Sequence, residues 1–307
     1  MAAGPLLAAP ALALAPRRSF PGASALADYW AMSKPDVNFL IGIATGTAFT
    51  IASRAASPSF PWTALGHTVA GTVLVASGAA TLNQWMERRF DARMRRTARR
   101  PVAAGRIEPA RALAAGMLES AAGVVYLAAA VGLLASLLAV VTLLGYLLLY
   151  TPAKRATPLC TLIGAVPGAL PALIGWAAAR GRLEPEAWAL FAIVFLWQFP
   201  HFMAIAWMYR EDYDRAGYRV LPGGQARTRL VTVQCLLPLL ALLPASLLPG
   251  ATGARSLPYC VGAVVLGLGF GHYGTRFALR PSAPGARQLL VASIVYLPSL
   301  FAVMVLF

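Results

Sequence analysis

Asn83, Glu87 and Asp91 recur at every fourth position of the stretch Asn83-Gln-Trp-Met-Glu87-Arg-Arg-Phe-Asp91. On a helix that spacing stacks the three side chains along one face. A row of one carboxamide and two carboxylates suits a hard cation such as Mg2+, which takes a few carboxylates together with phosphate oxygens. Arg95, Arg96, Arg99 and Arg100 follow at once, ahead of Pro101, and guanidinium groups grip phosphate oxygens in pairs. Acids that suit a metal, followed closely by arginines, describe a site for a metal–diphosphate complex. The same residues also fit a solvated helix end whose acids pair with its arginines. Asn83 favours a site, because at the end of an apolar stretch its amide needs a partner.

A second group follows a later apolar stretch: Trp197-Gln-Phe-Pro200-His201-Phe, then Tyr209-Arg210-Glu211-Asp212-Tyr213-Asp214. Pro200 removes a donor from the helix ladder, which membrane helices tolerate beside a cavity. His201 is then a candidate ligand or proton-transfer group there, or else a residue that hydrogen-bonds between helices. Glu211, Asp212 and Asp214 offer a second set of metal-binding oxygens. Between the two groups, Tyr150-Thr-Pro-Ala-Lys154-Arg155 places two cations at one helix end. They suit a diphosphate clamp, and they equally follow the bias of cytoplasmic loops toward Lys and Arg. Gly164, Pro167, Gly168, Pro171 and Gly175 in the next stretch suggest an irregular helix beside a cavity.

The elements that must position these groups are membrane spans. Charged residues make up 12% of the chain and hydrophobic ones 59%, against about 25% charged in a soluble domain. Too few polar residues remain to coat a water-soluble fold. Apolar stretches of the length that crosses a ~30 Å hydrocarbon core fall at 39–53, 62–85, 110–131, 133–150, 159–179, 187–208, 230–248, 258–277 and 288–307. With the N-terminus cytoplasmic, 22 of the 26 basic residues lie on the inner side of these nine spans, and Arg54, Arg180, Arg182 and Arg255 do not. A miscounted span would scramble that asymmetry. It also accounts for the net charge of +15 without nucleic acid as a partner. Glu87, Asp91, Glu211, Asp212 and Asp214 share the inner face, where carboxylates near a bilayer point to function. Residues 1–27, rich in Ala and Pro, read as a loosely ordered cytoplasmic tail, leaving 28–307 as one transmembrane domain. The tail lacks the charge-then-apolar order of a signal peptide, and it is short and weakly amphipathic for a mitochondrial transit peptide. Cys160, Cys235 and Cys260 have neither metal-ligand nor disulfide spacing.

From about Tyr29 onward the chain resembles the protoheme IX farnesyltransferases (haem O synthases), a group of the UbiA-type intramembrane prenyltransferases. The likeness rests on Ser33-Lys34-Pro35, the stretch from Asn83 to Asp91, Arg96-Thr-Ala-Arg-Arg100-Pro101, Tyr150-Thr-Pro-Ala-Lys154-Arg155, and Trp197-Gln-Phe-Pro-His201-Phe with Asp212-Tyr213 and Ala216-Gly217. It implies an all-α membrane fold, with nine transmembrane helices around a central cavity under a cytoplasmic-side cap. It implies Mg2+ on Asn83, Glu87, Asp91 and Asp212, with those residues and Lys154 catalytic. Substrate contacts would come from Arg95, Arg96, Arg99, Arg100, Tyr150, Arg155, Trp197, His201, Arg210 and Tyr213. The implied reaction moves the farnesyl group of farnesyl diphosphate to a vinyl group of haem B, with haem B as substrate. The implied setting is a bacterial plasma membrane ahead of the mitochondrial inner membrane, with a haem A synthase or oxidase assembly protein as partner. Three features depart from the wider superfamily. Glu87 stands where relatives with other aromatic acceptors have Asp, as is typical of the haem branch, and the second acidic motif has Tyr209 and Tyr213 at its i, i+4 positions. Asp36 also replaces the basic residue common after Lys-Pro. A prenyltransferase for a quinone precursor would share the first motif but carry a regular second Asp pair. A transporter would share the spans, but often shows paired broken helices in two repeats.

Overall fold

The computed structural model describes residues 25–54, 60–251 and 257–307. Within the hydrocarbon region no water is present to satisfy backbone N–H and C=O groups, so each apolar stretch closes its own hydrogen bonds as a helix. Among the described residues, nine helices are long and apolar enough to cross a membrane. A short α1 (Ala25–Met32) precedes α2 (Pro35–Arg54), α3 (Trp62–Asp91), α4 (Pro109–Ala130) and α5 (Leu133–Leu144). A π-helical stretch (Gly145–Tyr150) runs from α5 into α6 (Thr151–Ala156), and the three together form one span. Then come α7 (Cys160–Arg180), α8 (Pro185–Met208), a short α9 (Arg210–Ala216), α10 (Gly224–Ala251), α11 (Leu257–Leu279) and α12 (Ala283–Leu306). Of the tail expected over 1–27, positions 1–24 lie outside the described residues, and 25–27 open α1. Arg17, Arg18 and Arg255 also lie outside them.

The nine spans follow the expected count, with ends shifted by up to six residues. The division between α4 and α5 falls at Gly132, whose φ of +153° is a conformation that residues with a Cβ rarely adopt. α3 continues to Asp91, six residues past its expected end, so Asn83, Glu87 and Asp91 do share one helix.

Two expected irregularities are absent. α7 runs without a break through Pro167 and Pro171, and α8 through Pro200. The small residues of α7 serve close helix approach instead. A Cβ on Gly168 would fall 2.0 Å from Gln198 of α8, and one on Gly175 would fall 2.0 Å from the Thr45 carbonyl of α2. α3 and α4 meet in the same way, with Gly71 and Gly78 of one interleaving with Gly116 and Gly123 of the other. Lipid tails are as apolar as the helices, so close packing of small residues supplies the association.

The irregular backbone lies instead in the fourth span. Thr151 donates both its N–H and its hydroxyl (2.9 Å) to the Tyr146 carbonyl five residues back. Pro152 has no N–H to extend the ordinary ladder. Such π-turns are frequent at functional sites.

Residues 92–108, α1, α9 and the loop after α9 form a cap over the end of the bundle at which α3 closes. The Arg106 guanidinium grips Asp28 of α1 through 2.9–3.0 Å bonds. Gln84 donates to the Met32 carbonyl (3.1 Å), and the Arg219 amide donates to the Lys154 carbonyl (2.7 Å).

Candidate active site

The last turns of α3 bury Asn83, Glu87 and Asp91 to 5% exposure or less. Each is met by a cation. Lys154 of α6 donates to both Glu87 oxygens at 2.9 Å. Arg100 of the cap donates to both Asp91 oxygens at 2.9 Å. Lys34 donates to Asn83 Oδ1 at 3.0 Å. The Asn83 amide in turn donates to Glu87 (2.9 Å) and reaches the Thr151 hydroxyl at 3.2 Å. The π-turn thus places Thr151 and Lys154 beside α3. Lys154 also lies over the Tyr150 ring, 4.7 Å from its centre.

Lys34 adopts φ +53°, the only positive φ at a non-glycine among the described residues. A residue with a Cβ pays roughly 1–2 kcal/mol for that conformation, and strain of this kind collects at functional sites. Burial lowers Lys34 to about 7, helped by the charges of Arg100 and Lys154 and opposed by those of Glu87 and Asp91. Tyr218, in the loop after α9, hydrogen-bonds Glu87. Burial raises its hydroxyl well above the usual phenol range, and Glu87 and Asp91 add to the effect.

The carboxylates of the second acidic motif pair with arginines and an arginine amide. Among the described residues no three His, Cys, Asp or Glu side chains come together as a metal-binding group. Asp212 accepts from the Arg96 amide (3.0 Å) and pairs with Arg215 (2.8 Å). Burial pushes its carboxyl up, but the amides of Arg96 and Arg95 and the Arg215 guanidinium hold it below the usual carboxylate range. Asp214 pairs with Arg227 (2.9 Å), and Glu211 is exposed beside Arg210. Asp212 therefore orders the arginine segment of the cap through the Arg96 amide and Arg215.

The remaining expected residues divide between rim and bundle. Arg95 and Arg99 are exposed on the cap. Arg96 lies over the Tyr209 ring at 4.9 Å, Arg155 over Phe90 at 4.9 Å and Arg210 over Trp207 at 5.3 Å. Tyr213 packs edge-on against Tyr218. Trp197 and His201 sit deeper in α8, stacked on each other at 4.7 Å. Both are tied to Ser293 of α12, the indole to its carbonyl (2.8 Å) and the imidazole to its hydroxyl (2.7 Å). The interhelical role open to His201 is thus realised.

Lys34, Thr151 and Tyr218 complete the cluster but do not stand out in the sequence as site residues. Lys34 has the Lys-Pro motif as a signal. Nothing local marks Thr151 or Tyr218, which only the π-turn and the cap loop bring to Asn83 and Glu87 respectively.

The profile of the UbiA prenyltransferase family matches residues 43–295. The protoheme IX farnesyltransferase of Solibacter usitatus is 46% identical over 285 residues, which cover 91% of this chain and 98% of that protein. The structure of a digeranylgeranylglyceryl phosphate synthase superposes with a TM-score of 0.73 at 15% identity, covering 92% of this chain and 97% of the other. A UbiA homologue from Archaeoglobus fulgidus, bound to GPP and Mg2+, gives 0.56 at 15% identity, covering 90% and 99%. Fold and sequence kinship agree, and the chain belongs to the UbiA prenyltransferase family, within the group of protoheme IX farnesyltransferases.

Proposed function

We propose that this protein transfers the farnesyl group of farnesyl diphosphate to a vinyl group of haem B, yielding haem O. One observation carries the site assignment: Lys154, Arg100 and Lys34 converge on Glu87, Asp91 and Asn83 beneath a cap rich in arginine. Those three oxygen-bearing residues fit Mg2+, being hard donors on one helical face whose cationic partners would be free to turn to phosphate oxygens. When bound, the ion supplies further neutralisation of the diphosphate charge.

The chain's own residues account for the rest. Lys154 and Arg100 bind the diphosphate, and Arg96 and Arg155 at the cap neutralise its outer charge. As the allylic C–O bond breaks, its electron pair leaves with diphosphate, and these same cations stabilise the growing negative charge. The buried setting keeps water from the farnesyl cation. The vinyl π-electrons of haem B form the new C–C bond, and water then adds to the resulting cation and loses a proton, leaving the hydroxyethylfarnesyl group. His201 orients the porphyrin by ligating its iron. Asp212 holds the arginine segment over the site.

The basic residues gathered on this face support a cytoplasmic N-terminus and cap in a bacterial plasma membrane. The product, too apolar to leave the bilayer freely, would pass to a membrane enzyme or assembly protein that uses haem O. Purified protein given haem B, farnesyl diphosphate and Mg2+ is expected to form haem O, identified by mass spectrometry. A folded preparation that binds both substrates and releases diphosphate without haem O would overturn the acceptor assignment.

A further inference from the structure

Ser293 is fully buried on α12, facing the Trp197–His201 stretch of α8. Its hydroxyl oxygen lies 2.6 Å from the Leu290 carbonyl and 2.7 Å from His201 Nδ1. A carbonyl oxygen only accepts, and a serine hydroxyl carries one proton. At 2.6 Å that proton must lie between Ser293 and Leu290, since two oxygens with no proton between them would repel. The hydroxyl then offers His201 only lone pairs, so Nδ1 carries the imidazole proton. In the neutral ring Nε2 is left unprotonated, with its lone pair directed away from Ser293. The ring is also held in place. Trp197 stacks on it at 4.7 Å while donating to the carbonyl of the same Ser293, and the edge of Phe202 stands 5.5 Å away.

We infer that Ser293 is a positioning residue that fixes His201 as the Nδ1–H tautomer, so that Nε2 alone is available to a metal. The inference rests on the reading of His201 as the ligand that orients haem. It deepens that reading, because an imidazole with its proton on Nε2 has no lone pair there for iron. Partners that hold the second nitrogen of a ligating histidine fix both its tautomer and its angle. Ser293 would thereby set the rotation of the porphyrin, and with it the vinyl group that meets the farnesyl cation.

The test uses the full-length protein in nanodiscs, labelled with 15N-histidine. The chain has three histidines, so the spectrum of His201→Ala identifies the His201 signals by difference. The wild type is expected to show a protonated Nδ1 and an unprotonated Nε2 at neutral pH. Ser293→Ala, close to isosteric, is expected to give a mixture of tautomers and to weaken haem B binding about 10–100-fold. A single Nδ1–H tautomer that persists in Ser293→Ala overturns the role of Ser293. Haem B spectra separate the two levels: if His201→Ala binds haem with an unchanged Soret band, His201 is no ligand and the underlying reading falls, whatever the tautomer.

Discussion

At the scale of single residues, charge pairing in a buried setting dominates. Glu87 is matched by Lys154, and removing one partner of a buried pair leaves the other uncompensated, at a cost of about 3–5 kcal/mol. Lys154→Ala is therefore expected to lower thermal stability in detergent and to cut turnover at least 100-fold. Tyr218→Phe removes one hydroxyl from Glu87 and leaves the ion pair in place. It should fold normally and lose about tenfold in turnover, consistent with roughly 1.5 kcal/mol for a hydrogen bond to a charged group. Comparing melting curves with kcat separates the two variants. Equal stability of Lys154→Ala and wild type would remove the assigned weight of the pair.

At the scale of elements, glycine contacts set how closely the helices approach. A Cβ on Gly78 of α3 would lie 2.3 Å from Ser120 Oγ and 2.6 Å from the Ser120 amide of α4, and a backbone atom cannot step aside. Gly66 of the same helix has nothing within 4 Å. Gly78→Ala is expected to destabilise by about 1–3 kcal/mol through overpacking. Gly66→Ala should be neutral or stabilising by up to about 1 kcal/mol, since alanine loses less backbone entropy in a helix. Unfolding both in the same detergent tests the contrast, and equal effects would mean that α3 and α4 are free to separate.

At the scale of the whole molecule, the two faces differ in charge and in what the charge does. One face holds the cationic site beneath the cap. On the opposite face Glu184 gathers Arg180 (3.1 Å) and Arg182. Hydrogen bonds from Arg180, then from Arg182, lower its carboxyl to about 2 from an ordinary 4.5, against the opposing effect of burial and with help from Trp176. A depressed carboxyl contributes stability that is present above its unfolded value and lost as pH falls through the folded one. Melting temperature should therefore drop between about pH 4.5 and pH 2 more steeply in the wild type than in Glu184→Gln. Parallel curves would show that the cluster adds nothing. The orientation has its own check. With the three native cysteines replaced by alanine, Arg93→Cys should react with a membrane-impermeant thiol reagent only from the cytoplasmic side, and Arg182→Cys only from the other. The reverse pattern would invert the topology.

Much of this was legible in the chain because the bilayer imposes strong rules. Backbone polar groups must be satisfied within each span, so the nine apolar stretches become, among the described residues, nine membrane-length helices, and the fourfold spacing of Asn83, Glu87 and Asp91 becomes one face of α3. Glycine and proline were less informative, since the same residues that break a helix also let helices touch. α7 took the second course at Gly168 and Gly175. Tertiary structure alone decided which groups meet. Asp212 turned to the Arg96 amide because the cap brings that donor to it, while the π-turn brought Thr151 to Asn83 and Lys154 to Glu87, and the loop after α9 brought Tyr218 to Glu87. Asn83, Glu87 and Asp91 needed only helical periodicity to line up. Their cations come from positions 9 to 67 residues away, and no local pattern records a contact that only the folded chain makes.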